Sequence, residues 1–324
     1  MDYYLYKLKF DGAVHFGQSD SALSLYTAAD HFRADTLFSA LCHTALSLWG
    51  KKEIEELIRQ ADADELLLSD SMPWRAGQFY LPKPCMMGKT KQDDIPTEKR
   101  KKLKKLAWIP VSDIGTFEHS ICGDKIYEPK EDAPFGMTIE RTSAAVFEGA
   151  DTRPYQVGAY RFYPDCGLYV LVGVKTKEQA KKMDTLFSAL GVSGIGGKVS
   201  SGYGAFTVES FPMDNKSKDS QMKWLYQALN EKNAKHQLLL TTSLPADDEL
   251  EEVLKNANYQ LVRRAGFVQS DSFAKSPMKK QMQYFMAAGA MLEKPFRGAL
   301  YEVAENGGHS VVRYAKPMML GVAF

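Results

Sequence analysis

The stretch GIGGKVSSGYGAFTV, residues 194 to 208, holds glycines at 194, 196, 197, 202 and 204 around Lys198, Ser200, Ser201 and Tyr203. Glycine inside a strand or helix is unfavourable by roughly 0.5–1 kcal/mol against alanine. Such a density marks backbone that is either loose or approached closely. Two nucleotide fingerprints fail here. A Walker loop needs Gly-x-x-x-x-Gly-Lys-Ser/Thr, but Val199 follows Lys198 and Val192 stands where the first glycine belongs. A dinucleotide loop opened at Gly194 needs its last glycine where Val199 stands, and it opens a helix rather than following one. What these residues can do together is hold a polyanion. Closely spaced N–H groups form a nest for phosphate oxygens, Lys198 adds a point charge, Ser200 and Ser201 add hydroxyl donors, and Tyr203 offers a ring to a base. A mobile loop at a sheet edge has the same pattern, and the residues alone leave both readings open.

Other charged groups are weaker signals. EKRKKLKKL, residues 98 to 106, carries six basic residues and reads as a solvated helix face or a phosphate patch, with Trp108 as a wedge or stacking platform. Arg263-Arg264 and Lys279-Lys280 are shorter versions. Asp247, Asp248 and Glu249 stand where a helix begins, where acids suit the dipole, and Asp93-Asp94 fall in a polar stretch. His15, in AVHFG, has no serine or cysteine nucleophile pattern beside it. Cys42, Cys85, Cys122 and Cys166 are far apart, and the histidines at 15, 31, 43, 119, 236 and 309 show no ligand spacing. The cysteines therefore read as free thiols in a reducing compartment. No metal and no other cofactor is expected.

The elements that position these residues follow from hydrophobic periodicity. The 324 residues make two domains the natural expectation; 44% hydrophobic and 25% charged content suits a globular core, and a net charge of +1 does not mark a nucleic-acid binder as a whole. No leader pattern and no apolar run of ~20 residues is present, so a soluble cytoplasmic protein is expected. Residues 3–10 alternate as a strand. ADTLFSALCHTALSLWG reads as a helix capped by Asp35 and ended by Gly50, and KKEIEELIRQA as a second, charged helix. Residues 66–147 are irregular, broken by Pro73, Pro82 and Pro84, with MTIERTSAAVF, which holds Arg141, as a strand near their end. GLYVLVGV, then a helix over 175–191, then the glycine loop and AFTVESF form a β-α-β pattern. Residues 214–236 read as a linker. QLLLTTSL, an acidic helix in ADDELEEVLKNA and several short strands follow. The expected fold is α+β, with two ferredoxin-like (RRM-like) domains: 1–213 with a thumb-like insertion at about 70–135, and 237–324.

HFG after the first strand, ADTLFSAL opening the first helix and GIGGKVSSGYGAF before the last strand of the first domain resemble the RAMP superfamily of CRISPR proteins. IERTSAAVF, MAAGAMLEKPFRGALYEV and VVRYAKPM are similar to one branch, the Cas-five-like fourth subunits of type III-A Csm effector complexes. The resemblance runs from near Tyr3 to the C-terminus, with 66–135 least matched. It implies a non-catalytic subunit of a ribonucleoprotein in antiviral defence. Such a subunit holds the 5′ handle of the CRISPR RNA, lies near target RNA, and contacts the large polymerase-like signature subunit and the backbone subunit. Carried over, the RNA-binding candidates are His15, Arg33, Thr36, Arg141, Gly194, Gly196, Gly197, Lys198, Ser200, Ser201, Gly202 and Tyr203. The family motif Ser-Asp-Thr at the first helix has Ala34 in its first place here, which removes one hydroxyl. The family's thumb is expected within 86–135, with Met86 and Met87 as tips. The alternative is a metal-dependent endoribonuclease using Asp20 or Asp30 in the loop after the first strand.

Overall fold

The computed structural model describes residues 1–17, 22–85, 97–122, 127–129, 133–147, 150–270, 272–274 and 276–323. In β1 (Asp2–Phe10), Tyr6, Leu8 and Phe10 enter one core while Tyr3 and Leu5 enter another on the opposite face. α1 (Ala34–Trp49) and α2 (Lys51–Asp62) follow, parted by Gly50, whose φ of 87° suits glycine. Then come β2 (Leu66–Leu68), β3 (Met72–Arg75), β4 (Gln78–Pro82), α3 (Thr97–Lys105), β5 (Trp108–Pro110), α4 (Ile114–Cys122), β6 (Gly136–Phe147) and β7 (Ala150–Phe162). The first half ends with β8 (Cys166–Val174), α5 (Lys177–Ser193) and β9 (Phe206–Met213). The second half holds α6 (Ser220–Asn230), β10 (His236–Leu239), α7 (Leu250–Leu254), β11 (Leu261–Arg264), β12 (Gln283–Met286), β13 (Met291–Leu292), β14 (Leu300–Glu302), β15 (Val312–Tyr314) and β16 (Met319–Val322).

The chain is α+β. Its main sheet runs β5-β4-β3-β8-β1-β9, with β2 also paired to β8, and its pairings are antiparallel. The inner order β3-β8-β1-β9, with α1 and α2 after β1 and α5 after β8, is that of a split β-α-β unit. Both faces of the sheet are covered. Against one, Leu37, Phe38 and Leu41 of α1 and Met183, Leu186 and Phe187 of α5 bury Tyr6, Leu8, Val170 and Val172. The Tyr6 ring stacks on Phe187 at 4.1 Å, and its hydroxyl donates to Asp184 at 2.8 Å. Against the other face, Met222, Leu225 and Leu229 of α6 join Leu238, Leu240, Leu320 and Val322 over Leu5, Tyr169 and Leu171. Asp219 caps α6 by accepting from the N–H groups of Gln221 and Met222. The segment read as a linker thus contributes to the core.

The region read as an insertion is divided differently. β3 and β4 widen the main sheet in spite of their prolines; Pro73 pairs with Leu168 of β8, while β3 meets β4 only through Trp74 and Arg75. Among the described residues the long ribbon is β6 with β7 rather than a segment of 86–135; it pairs from Gly136–Phe162 to Phe147–Ala150, with a register shift between Ala145 and Phe147, and is mostly exposed. Pro154 and Gly158 hide β7 in the sequence, yet a two-stranded ribbon has an open edge where proline is tolerated. Met86, Met87, Asp93 and Asp94 lie outside the described residues, and so does the Cys122 side chain.

The second half pairs β13-β10-β16 in one sheet and adds the ribbons β11-β12 and β14-β15. α7 is shorter than its acidic pattern suggests. The Glu249 carboxylate accepts from the N–H groups of Ala246, Arg297 and Gly298, which ties that segment to the loop before β14. The two halves interlock at Ser69-Asp70-Ser71, all buried. Asp70 Oδ1 accepts from the Ala34 N–H at 2.8 Å, Oδ2 accepts from Thr242 Oγ1 at 2.6 Å, and the Asp70 N–H donates to Leu240 O. The Leu68 N–H donates to the Tyr314 hydroxyl, and Thr241 Oγ1 donates to Leu68 O.

Candidate nucleic-acid interface

With both sheet faces covered, no open RRM-type face is left on the main sheet for bases to stack on. The polar chemistry gathers instead where the glycine loop, the start of α1 and the second half meet.

The glycine loop is laid on AVHFG. Gly197 N–H donates to His15 O at 2.9 Å, Gly204 N–H to Ala13 O at 3.0 Å, and Ile195 N–H to Gly204 O at 3.0 Å. A Cβ on Gly197 would stand 2.7 Å from the His15 ring, and one on Gly204, at φ 78°, would stand 2.1 Å from Ile195 O. The close approach inferred from the glycines is therefore first an approach by the chain's own backbone. AVHFG also grips the ribbon. Val14 and Tyr160 exchange both backbone hydrogen bonds at 2.8 Å, and His15 Nδ1–H donates to Gly158 O at 2.6 Å. At the outer side of the loop Lys198 holds a left-handed φ of 61°, with its ammonium 3.4 Å from the Tyr155 hydroxyl and 5.1 Å over that ring.

At the α1 end, Asp35 does not cap the helix. Asp70 takes the first N–H, of Ala34, while Asp35 accepts from Arg264 Nε at 2.9 Å and Nη2 at 2.8 Å. Arg264 also donates to Thr36 Oγ1, at 3.3 Å. Arg313 lies 4.0 Å from Asp35 and is otherwise held by Gln283 and by the carbonyls of Arg264, Gln281 and Ala265. Burial raises the Asp35 pKa, but Arg264, then Arg313 and Arg33, outweigh it and hold the carboxyl below the usual carboxylate range. Burial and the neighbouring Arg313 and Arg264 pull the Lys280 ammonium down, opposed by Asp35.

These parts line one groove of about 1020 Å³. Arg33, Lys198, Arg264, Lys280 and Arg313 stand on its walls, and among the described residues Asp35 is the carboxylate that faces them. The structure brings His15, Arg33, Thr36, Gly194, Gly196, Gly197, Lys198 and Ser200 to this groove. Ser201 and Gly202 are exposed on the adjoining turn, outside its lining, and Arg141 lies on the ribbon, opposite Val157. Two expectations change. Tyr203 is only 6% exposed, so its ring is packed inside rather than offered to a base. His15, also 6% exposed, is committed to Gly158 and serves the loop from beneath. Trp108 is built into the sheet opposite Pro82, edge-on to His31. The basic run forms α3, whose Lys101, Lys102, Lys104 and Lys105 are exposed. His31, His43 and Gln269 line the groove without any motif to announce them; of the doublets, Arg264 and Lys280 turn inward while Arg263 and Lys279 are exposed.

Comparison with known proteins gives a consistent answer. The family model of the CRISPR Csm4 C-terminal domain matches residues 232–322. The chain is 32% identical over 319 residues to the CRISPR system Cms protein Csm4 of Mycobacterium tuberculosis strain H37Rv, covering 98% of this chain and 97% of that one. It is 30% identical over 329 residues to the Csm4 of Streptococcus thermophilus, covering 98% of each. The fold matches a chain in the crystal structure of a Csm3-Csm4 subcomplex of the type III-A interference complex, with a TM-score of 0.65 at 17% identity over 99% of both chains. A chain of a Csm1-Csm4 cassette in complex with cA4 matches with a TM-score of 0.61 at 18% identity, covering 99% of this chain and 98% of that one. The fold and the relatives define a subunit of a type III CRISPR effector complex. Within that class the chain belongs to the Csm4 family.

Among the described residues no helix is long and apolar enough to cross a membrane, and no cluster of three or more His, Cys, Asp or Glu is placed to hold a metal ion.

Proposed function

We propose that this chain is a non-catalytic RNA-binding subunit that holds the 5′ handle of the CRISPR RNA in the basic groove. The observation that carries this reading is the groove itself, with Arg33, Lys198, Arg264, Lys280 and Arg313 around Asp35 beside a backbone bent at Gly194, Gly196 and Lys198. An excess of cations in a partly buried cleft attracts a polyanion and binds it with strong salt dependence. Arg33, Thr36, Lys198 and Ser200 meet phosphates; exposed Ser201, Gly202 and Arg141 meet RNA as it leaves the groove toward the ribbon. The ribbon acts as the thumb beside target RNA. The subunit docks the large signature subunit and the backbone subunit, as Csm4 chains do with Csm1 and Csm3 in the related structures. The chain divides at 213 and 237 into two domains, with α6 between them acting as a shared wall.

One observation bears on the nuclease alternative. The Asp30 carboxylate is engaged by His31 Nδ1 at 2.7 Å; burial raises its pKa, but the hydrogen bond and charge of His31, joined by hydrogen bonds from its own backbone and from Trp108, together lower it below the usual carboxylate range. Asp20 lies outside the described residues. Asp20→Ala and Asp30→Ala in the assembled complex are expected to leave every RNA cleavage product in place; loss of a product would restore the nuclease reading. The RNA-binding reading is tested by purifying the effector complex from its host and sequencing the RNA it retains. A small RNA of uniform 5′ end is expected, and a complex free of RNA contradicts it.

A further inference from the structure

The second half of the chain contributes a cation to the groove that the fold leaves uncommitted. Arg264 and Arg313 are both bound to structure: Arg264 is clamped on Asp35, and Arg313 is only 3% exposed and saturated by carbonyls and Gln283. Lys280 differs. Its backbone N–H donates to Gly266 O, which fixes the strand-like segment at the groove wall. Among the described residues its ammonium forms no hydrogen bond or ion pair, although it feels Asp35, Arg313 and Arg264 and lines the groove with them. Two guanidinium groups share one carboxylate here, so the surplus positive charge lies beside Lys280. A partly buried ammonium without a hydrogen-bonding partner costs desolvation that a bound anion would offset.

We propose that Lys280 takes an RNA phosphate at the α1 end of the groove, separate from the phosphate met by Lys198 at the glycine-loop end. The RNA backbone then spans both halves of the protein, and the second half takes part in binding directly. This inference rests on the RNA reading above and names a second contact within that site. The chemistry required is a phosphodiester oxygen: a compact acceptor that an ammonium reaches as a point charge, with no bidentate geometry needed.

The test is a salt series on the full chain with a labelled single-stranded poly(U) probe, read by fluorescence anisotropy. Every phosphate that the protein ceases to neutralise lowers the slope of log affinity against log salt by about 0.7–1. Lys198→Ala and Lys280→Met are each expected to lower it by that amount, and the double variant by the sum. Lys280→Arg, which keeps the charge, is expected to retain the wild-type slope and also controls for folding. If Lys198→Ala lowers the slope and Lys280→Met does not, the Lys280 contact is wrong while the groove reading stands. If neither variant changes it, the groove reading fails as well. A double variant no lower than either single one would mean a single shared phosphate and overturn the two-ended arrangement.

Discussion

Gly197 and Gly204 are glycines because the chain's own backbone and the His15 ring lie where a Cβ would go. Gly202 shares the left-handed φ, at 84°, but faces open space. Gly204→Ala is therefore expected to destabilise by more than about 2 kcal/mol, and Gly202→Ala by about 1 kcal/mol, in denaturant unfolding. Equal losses would mean that packing does not select the glycines. Asp35 supplies a second test. Its carboxyl is held below the usual range by Arg264, Arg313 and Arg33. A carboxyl titrating near 3.9 when unfolded and lower when folded gives stability that is fully present above about pH 4 and lost as pH falls through the folded value. The melting-temperature gap between wild type and Asp35→Asn should thus narrow below about pH 4, whereas a constant gap would assign the effect to packing. At this scale the glycine loop and Lys198 are legible, since glycine spacing and charge are visible in a string. The place of Tyr203 is not, because nothing local tells on which side of a turn a ring will lie.

The strap AVHFG is the element that makes the site. Val14 pairs with Tyr160, His15 holds Gly158 through its side chain and Gly197 through its carbonyl, and Phe16 O accepts from Ala29. Ribbon and glycine loop are therefore positioned by one short segment. His15→Ala would leave Gly158 O without its donor, at a cost of about 1–3 kcal/mol. Hydrogen exchange should then rise in both 150–162 and 194–204; a rise in only one of them would mean that the two are held independently. Periodicity reveals β1, α1, α5 and β9, whose apolar residues recur at strand or helix spacing. β3, β5 and β7 escape it because Pro73, Pro110 and Pro154 interrupt the runs by which strands are recognised, and only pairing partners far along the chain make them strands.

Across the whole molecule, the buried Asp70 joins the start of α1 to Thr242 in the second half. Burial raises its pKa against the hydrogen bonds it accepts, so the arrangement carries a desolvation cost that its partners offset. Asp70→Ala leaves the Ala34 N–H and the Thr242 hydroxyl without that acceptor. It should lower the melting temperature by several degrees and split one cooperative transition into two if this hub couples the halves; an unshifted melt would deny it that role. The groove is legible only at this scale, because Arg264 and Asp35 are 229 residues apart and meet through the fold alone.

The most direct measurement is ultraviolet cross-linking of the assembled complex to its own small RNA, with the linked peptides identified by mass spectrometry. Cross-links are predicted in the glycine loop, residues 194–204, and in the groove-wall segment that contains Lys280. Cross-links confined to α3 or to the outer face of β11-β12, with none at the groove, would contradict the account.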